Sequence, residues 1–223
     1  SPANNVASQG QPDFYVKGVP ATTTAPELEV SQPRIYFGES AESQEYVVVN
    51  SLQEEVDYPL STEGQSVAYT NYSGQGGVGI GSFFQRLGFS LRYSELNLMI
   101  SNQLSDDSKI IMERNVISRV KKAAPFLYTD NDPYLALIEG DLFWIIDMYT
   151  VSNKYPYAQP ADTRRINERS GLPMNFNYIR NSVKAVVNAY DGTMKFYVFD
   201  EADPLIQSYA NIFPSLFTDK SEM

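Results

Sequence analysis

The 223-residue sequence contains no cysteine and no histidine. The first absence excludes disulfides, thiolate nucleophiles, iron–sulfur ligation and cysteine zinc sites. The second excludes a Ser-His-Asp triad, histidine-bound zinc or haem, and a histidine pH switch. Catalysis would fall to carboxylates, Lys, Tyr, Ser/Thr or a hard cation held by oxygen. Long apolar runs are also missing. Nothing approaches the roughly 18 residues of a membrane span, and the most apolar stretch, 135–149, is interrupted by Glu139, Asp141 and Asp147. No direct membrane insertion of this stretch is expected. Positive charge is scarce: 17 Lys plus Arg against 27 Asp plus Glu leave a net charge of −10, the wrong sign for nucleic acid or anionic lipid. The N-terminus, Ser1-Pro2-Ala3-Asn4-Asn5, has no basic segment ahead of an apolar run and no initiator Met. No signal peptide is expected there, and the sequence reads as a piece of a longer chain.

Hydrophobic residues at 43% and aromatics at 13%, with 16 Tyr and 12 Phe, are too many for a disordered chain. Residues 1–32, rich in Pro, Thr and Ala, predict an extended polar arm. Residues 33–217 predict a single α+β domain, with two sub-lobes split near 125 as the alternative, and 218–223 a tail. Between Glu27 and Glu63 nine acids face only Arg34, and two short β-type runs, 34–37 and 46–49, lie among them. This region reads as edge or hairpin strands with an acidic solvent face.

A strand at 67–72 and a glycine-rich run lead to Ser82, where Gln85 three residues on completes a capping box. Phe83, Phe84, Leu87, Leu91, Leu98 and Met99 recur at helical spacing and are expected to be mostly buried. A second helix is expected from about Ser105, with Asp106 and Asp107 at its start, Ile110, Ile111, Val116, Ile117 and Val120 on its apolar side, and Pro125 at its end. Two hairpins follow, 134–138 with 142–146 and 183–189 with 194–199, the latter around Asp191-Gly192. Between them lies a long polar loop, 151–177. Asp203-Pro204 then caps a third helix that Pro214 ends. The fold class is α+β: antiparallel β-hairpins packed with three main helices.

Gly74, Gly76 and Gly79 spell G-x-G-x-x-G before a helix, the place for a phosphate loop. No Gly-Lys-Ser/Thr follows, the next acid, Glu95, lies inside the expected helix, and β-α-β order is absent. A turned connection is expected instead. Asp130-Asn131-Asp132-Pro133 offers oxygen ligands but lacks the central Gly of a calcium loop, so Asx turns account for it. Lys184 alternates with Val183 and Ala185 and is expected on the solvated strand face. Trp144 is expected in the core. Tyr155 and Tyr157, around Pro156, together with Arg164 and Arg165 on the same loop, are the surface candidates for binding a ligand or partner. No catalytic residue, cofactor or metal ligand is singled out.

Several blocks resemble a known family. They include Pro33-Arg34-Ile35-Tyr36-Phe37-Gly38-Glu39, Tyr46-Val47-Val48-Val49-Asn50, Asp57-Tyr58-Pro59 and Gly74-Gln75-Gly76-Gly77-Val78. Further on stand Asp130 to Tyr134, the block Asn177-Tyr178-Ile179-Arg180-Asn181-Ser182-Val183-Lys184-Ala185-Val186-Val187, Ala189 to Thr193, and Phe196-Tyr197-Val198. The sequence is similar, from about 33 to 217, to the uncharacterised protein family numbered 0182: large integral-membrane proteins of cyanobacteria, actinobacteria and some clostridia. The resemblance implies several membrane helices followed by a large domain outside the cytoplasmic membrane, of which this chain is a piece. It implies the remainder of the same membrane protein as a partner, with an envelope component as a further one, and supplies no reaction, cofactor or catalytic residue. The leading expectation is a non-catalytic extracytoplasmic binding or interaction module. The alternative is a carboxylate-based envelope hydrolase or transferase, with or without a divalent cation. A third, purely structural reading has the piece dock on the rest of the external domain, and a large exposed apolar patch would favour it.

Overall fold

A computed structural model of the protein describes residues 3–6, 12–18, 21–41, 46–60, 67–167 and 170–223. The chain divides into two compact units, residues 1–33 with 44–113 and residues 34–43 with 114–223. Both strands, mostly antiparallel, and α-helices are present, as the α+β reading requires.

The first unit is assembled from small pieces. Strands β1 (Ala3–Val6) and β2 (Pro12–Phe14) pair antiparallel, as do β3 (Val16–Lys17) and β4 (Thr22–Thr23). Strand β5 (Val47–Val49) belongs to a three-stranded sheet completed below, while β6 (Glu55–Pro59) and β7 (Val67–Thr70) form a separate hairpin. After β8 (Val78–Gly79), helix α1 (Phe83–Tyr93) starts at the Ser82–Gln85 capping box and stops where Ser94 turns left-handed at φ 54°. The short α2 (Asn97–Ile100) follows. Strand β9 (Lys109–Ile111) then pairs with both β5 and β8.

Two sequence expectations change here. The helix from Ser105 is absent: Ile110 and Ile111 are fully buried strand residues, and the helix begins only after Asn115. Their spacing fits a helix, but two adjacent β-branched residues fit a pleated surface better. The apolar stripe of α1 also points the other way. The core of Ile80, Leu98 and Ile110 receives Phe89 and Tyr93 from α1, whereas Phe83, Phe84 and Leu91 are exposed. Gly77, with φ 92°, lies in the glycine-rich run where a Cβ would approach the Lys109 Cβ to 3.2 Å. That run is a turned connection laid against β9.

The second unit is built on one sheet. Helix α3 (Val116–Ala123) is capped by the Asn115 side chain, which accepts from Ser118 N. Strands β10 (Tyr128–Thr129) and β11 (Tyr134–Ile138) share one edge of the long β12 (Asp141–Ser152). The other edge of β12 pairs with β13 (Tyr178–Asn188), and β13 with β14 (Met194–Val198). Helix α4 (Pro204–Ile212) then carries the chain across to β15 (Phe217–Asp219), parallel to β14. Ile146, Met148, Val183, Ala185, Val187 and Phe196 form the buried face. Glu139 and Gly140, both at positive φ, make the tight turn between β11 and β12.

Residues 34–37 are not a strand of a sheet. Tyr36 N and Phe37 N both donate to the Ala189 carbonyl, and the half-buried Trp144 indole N–H donates to Phe37 O at 2.9 Å. Phe37, 1% exposed, fills the space beside the Asp191-Gly192 turn, where a Cβ on Gly192 would sit 2.4 Å from its ring. Lys184 lies on the face opposite Val183 and Ala185, but half-buried, paired with Asp147 of the neighbouring strand and 5.5 Å from the Phe199 ring centre. The acidic stretch is shared between the units: Glu39 belongs to the second, and Glu27, Glu29, Glu54, Glu55 and Asp57 to the first. Glu42, Glu45 and Glu63 lie outside the described residues.

Candidate functional site

The long loop between β12 and β13 carries the residues singled out from sequence. Tyr157 stands in solvent with its backbone left-handed at φ 60°. That conformation is unfavourable for a bulky residue and persists only where neighbours impose it. Asn177 does so: its Oδ1 accepts from Tyr155 N at 2.9 Å, and its Nδ2 donates to Tyr155 O and Ala158 O at 2.8 and 3.2 Å. Ala161 N to Phe176 O, and Thr163 Oγ1 to Met174 O, tie the far side of the loop. Tyr155 is partly exposed and stacks on Tyr178, centroids 4.6 Å apart and planes within 18°.

Beneath this stack is a fully buried polar cluster. Asp203, Thr150 and Ser182 are each 0% exposed. Asp203 caps α4 by accepting from Leu205 N at 3.0 Å, and the same Oδ1 accepts from the Tyr178 hydroxyl at 2.5 Å. Its Oδ2 accepts from Thr150 and Ser182, both at 2.5 Å. A β-bulge makes this convergence. Met148 pairs with Val183 and Tyr149 with Asn181, so Ser182 has no partner in the ladder and its hydroxyl is turned toward the helix start.

Burial pushes the Asp203 carboxyl up, but the bonds from Ser182, Thr150, Tyr178 and Leu205 outweigh it and hold it below the usual carboxylate range. Burial, then the bond to Asp203, raises the Tyr178 hydroxyl. All four acceptor positions of the carboxylate are taken, two on each oxygen. Asp203 therefore has neither an open lone pair nor an approach for a substrate or cation. Its work is positional: it fixes Tyr178, Tyr178 supports Tyr155, and the helix start is locked to the sheet.

Arg164 is highly exposed and holds Asp162 in a two-pronged pair, Nε to Oδ1 and Nη2 to Oδ2, both at 2.8 Å. That bond keeps the Asp162 carboxyl below its ordinary range and the guanidinium above its own. The structure thus joins Arg164 to Asp162 and Tyr155 to Tyr178. Arg165 ends the 3-10 turn Thr163–Arg165, and its side chain lies outside the described residues.

The other candidates resolve into local structure. Asp130 Oδ1 accepts from Asp132 N in an Asx turn before β11. An open cavity of about 580 Å³ in the first unit is lined by Asn50, Asn71, Ser105, Asp107 and Lys109 among others. Two of its lining side chains bond to the backbone: Ser105 donates to Asn50 O, and Lys109 donates to Gly74 O. Among the described residues no three acids group so as to hold a metal ion.

From the sequence Asp203 reads only as a helix cap, and nothing singles out Thr150, Ser182 or Asn177. The signals present are Asp203-Pro204 and Ser182 beside the apolar run that begins at Val183. Neither indicates that they meet.

A UPF0182 protein of Trichodesmium erythraeum is 44% identical to this chain over 229 residues, covering 99% of the chain and 24% of the relative. One from Desulfitobacterium hafniense is 45% identical over 221 residues, covering 99% and 21%. One from Clostridium novyi is 41% identical over 223 residues, covering 100% and 23%. The chain thus spans less than a quarter of the length of each of these curated relatives. No solved structure matches it. The model of the family described as "Uncharacterised protein family (UPF0182)" matches residues 1–223, and the chain belongs to that family.

Proposed function

We propose that this chain is a non-catalytic interaction module of a longer membrane protein, carried on the extracytoplasmic side, and that the 153–177 loop is a contact surface for an envelope component. The carrying observation is Tyr157, whose ring is wholly in solvent while Asn177 braces the Tyr-Pro-Tyr turn on both sides. An exposed aromatic on a pre-shaped loop presents a large contact area with little ordering left to do on binding. The membrane placement is supported by the family resemblance. No helix among the described residues is long and apolar enough to cross a membrane; on this proposal the membrane-spanning part belongs to the rest of the longer protein.

Two measurements on the full-length protein test this reading. For the side, Asn102→Cys in a cysteine-free background is treated with a membrane-impermeant maleimide in intact cells. Labelling before permeabilisation is expected, and labelling only afterwards would overturn the placement. For the surface, melting is followed with soluble cell-wall glycan fragments and stem peptides. A rise of about 2 °C or more with one of them, abolished by Tyr157→Ala, is expected. No shift with any probe refutes the loop as an envelope contact.

A further inference from the structure

Helix α1 has its apolar side outward. The residues turned inward are Arg86, whose guanidinium donates to Ile80 O and Leu104 O, together with Phe89, the buried Ser90 and Tyr93. On the outer side, Phe84, Leu87, Gly88 and Leu91 follow i, i+3, i+4, i+7, one stripe of a helix. Phe84 is 82% and Leu91 74% exposed; Phe83, at the helix start and edge-on to the Phe84 ring, is exposed as well, as are Leu96 and Ile100 beyond the helix end. Exposed apolar residues gathered along one helix stripe point to an interaction site rather than the ordinary scatter of surface apolar residues.

Gly88 supplies an independent observation. It lies in the middle of an exposed helix, where glycine is unfavourable, and a Cβ built on it meets nothing within 4 Å. Nothing packed against it among the described residues requires glycine there. A missing side chain between Phe84 and Leu91 makes a notch into which another helix backbone can approach closely.

We infer that the α1–α2 outer face is the docking surface for an apolar helical segment of the same polypeptide lying outside this 223-residue stretch. More than three quarters of each matched relative's length lies beyond the matched region, so such a segment has ample chain to come from. The inference rests on this chain being a module of a longer protein, as proposed above, but not on the tyrosine loop. A bilayer fits less well. Interfacial helices carry Lys and Arg on their polar face, whereas Arg86 is spent on two carbonyls and Arg92 pairs with Glu113. The net charge of −10 also opposes an anionic surface.

The test uses the full-length, cysteine-free protein in native membranes. Leu91→Cys should react with a small maleimide about tenfold more slowly than Asn102→Cys, and adding Gly88→Leu should restore the rate by filling the notch. Benzoylphenylalanine at position 84 should cross-link within one chain, to a peptide outside this stretch. Equal reactivity of the two cysteines would overturn the inference. So would a cross-linked dimer, which indicates a second copy, or a lipid adduct, which indicates the bilayer. Because neither readout involves Tyr157, failure here is separable from failure of the loop as a binding surface.

Discussion

The two units handle apolar surface in opposite ways. The second lays six strands into one sheet and closes over it, with Phe37 brought in from far along the chain to fill the last gap. The first is divided among two- and three-stranded pieces, and its longest helix shows the solvent two phenylalanines and a leucine. Two-stranded pieces are weak by themselves, and an outward apolar helix gains nothing from water. The second unit also leaves Leu135, Ile138 and Ile212 exposed and carries the tyrosine loop, so the contrast lies in how each core is built, one continuous sheet against several small pieces. Two glycines make the same point at single-residue scale. Gly192 is held by a ring pressed against its α-carbon, whereas Gly88 has empty space around it.

The strongest way to break this contrast is Gly192→Ala. The new methyl would enter the Phe37 ring at a backbone φ of 72°, so a loss of about 3 kcal/mol or more is expected, read by chemical denaturation of the full chain. A near-neutral result would show that the second unit is less tightly closed than described.

Asp203→Ala comes next. It removes a helix cap and takes the acceptor from the buried hydroxyls of Thr150 and Ser182 and the half-buried one of Tyr178, and should cost about 2–4 kcal/mol. Hydrogen exchange would locate the loss at β12, β13 and the start of α4. The pH dependence follows from the lowered carboxyl. Its stabilisation is present above the ordinary, unfolded-state pKa of about 3.9 and is lost as pH falls from there through the depressed folded value. Asp203→Asn should therefore flatten the acid limb of the stability curve. An unchanged limb would show that the carboxylate is not preferentially stabilised.

In the first unit the signs reverse. Gly88→Ala should stabilise by about 0.5–1 kcal/mol where the α1 face is uncovered, since only helix propensity changes. Denaturation of the 223-residue chain, if it folds alone, reads this directly, and destabilisation would mean that the glycine serves packing within the unit. Back in the second unit, the smallest effect is expected for Tyr157→Gly. Relieving a left-handed tyrosine should gain up to about 1 kcal/mol, and a measured loss would show that the ring contributes contacts.

Much of the second unit was legible because its signals are local. The Asp191-Gly192 and Glu139-Gly140 turns and the Asp203-Pro204 cap each depend on a few adjacent residues. The long-range features were not. Residues 34–37 have strand composition, yet their N–H groups go to Ala189, more than a hundred residues away. Residues 105–124 fit one helical period, but pairing with Val47–Val49 claims Ile110 and Ile111 for a strand, and Glu113 at φ 53° followed by the Asn115 cap resets the chain. Of the candidate site, Tyr155, Tyr157 and Arg164 could be picked out as exposed loop residues. The buried support under them could not, because a one-residue bulge at Ser182 aims that hydroxyl and leaves no trace in the pattern.

By itself, then, the sequence excluded cysteine and histidine chemistry, set the acidic charge, placed the Glu139-Gly140 and Asp191-Gly192 turns and the Ser82 and Asp203 helix caps, and carried the family membership. These follow from composition, backbone preference and motif, which need no knowledge of distant neighbours. Tertiary structure alone decided which side of α1 faces out, that Asp203 has no acceptor position left, and that the acids between 27 and 63 belong to two different units. Burial and saturation depend on residues far apart in the chain. A helix with apolar residues on two sides has two candidate inner faces, and only the partner packed against it selects one.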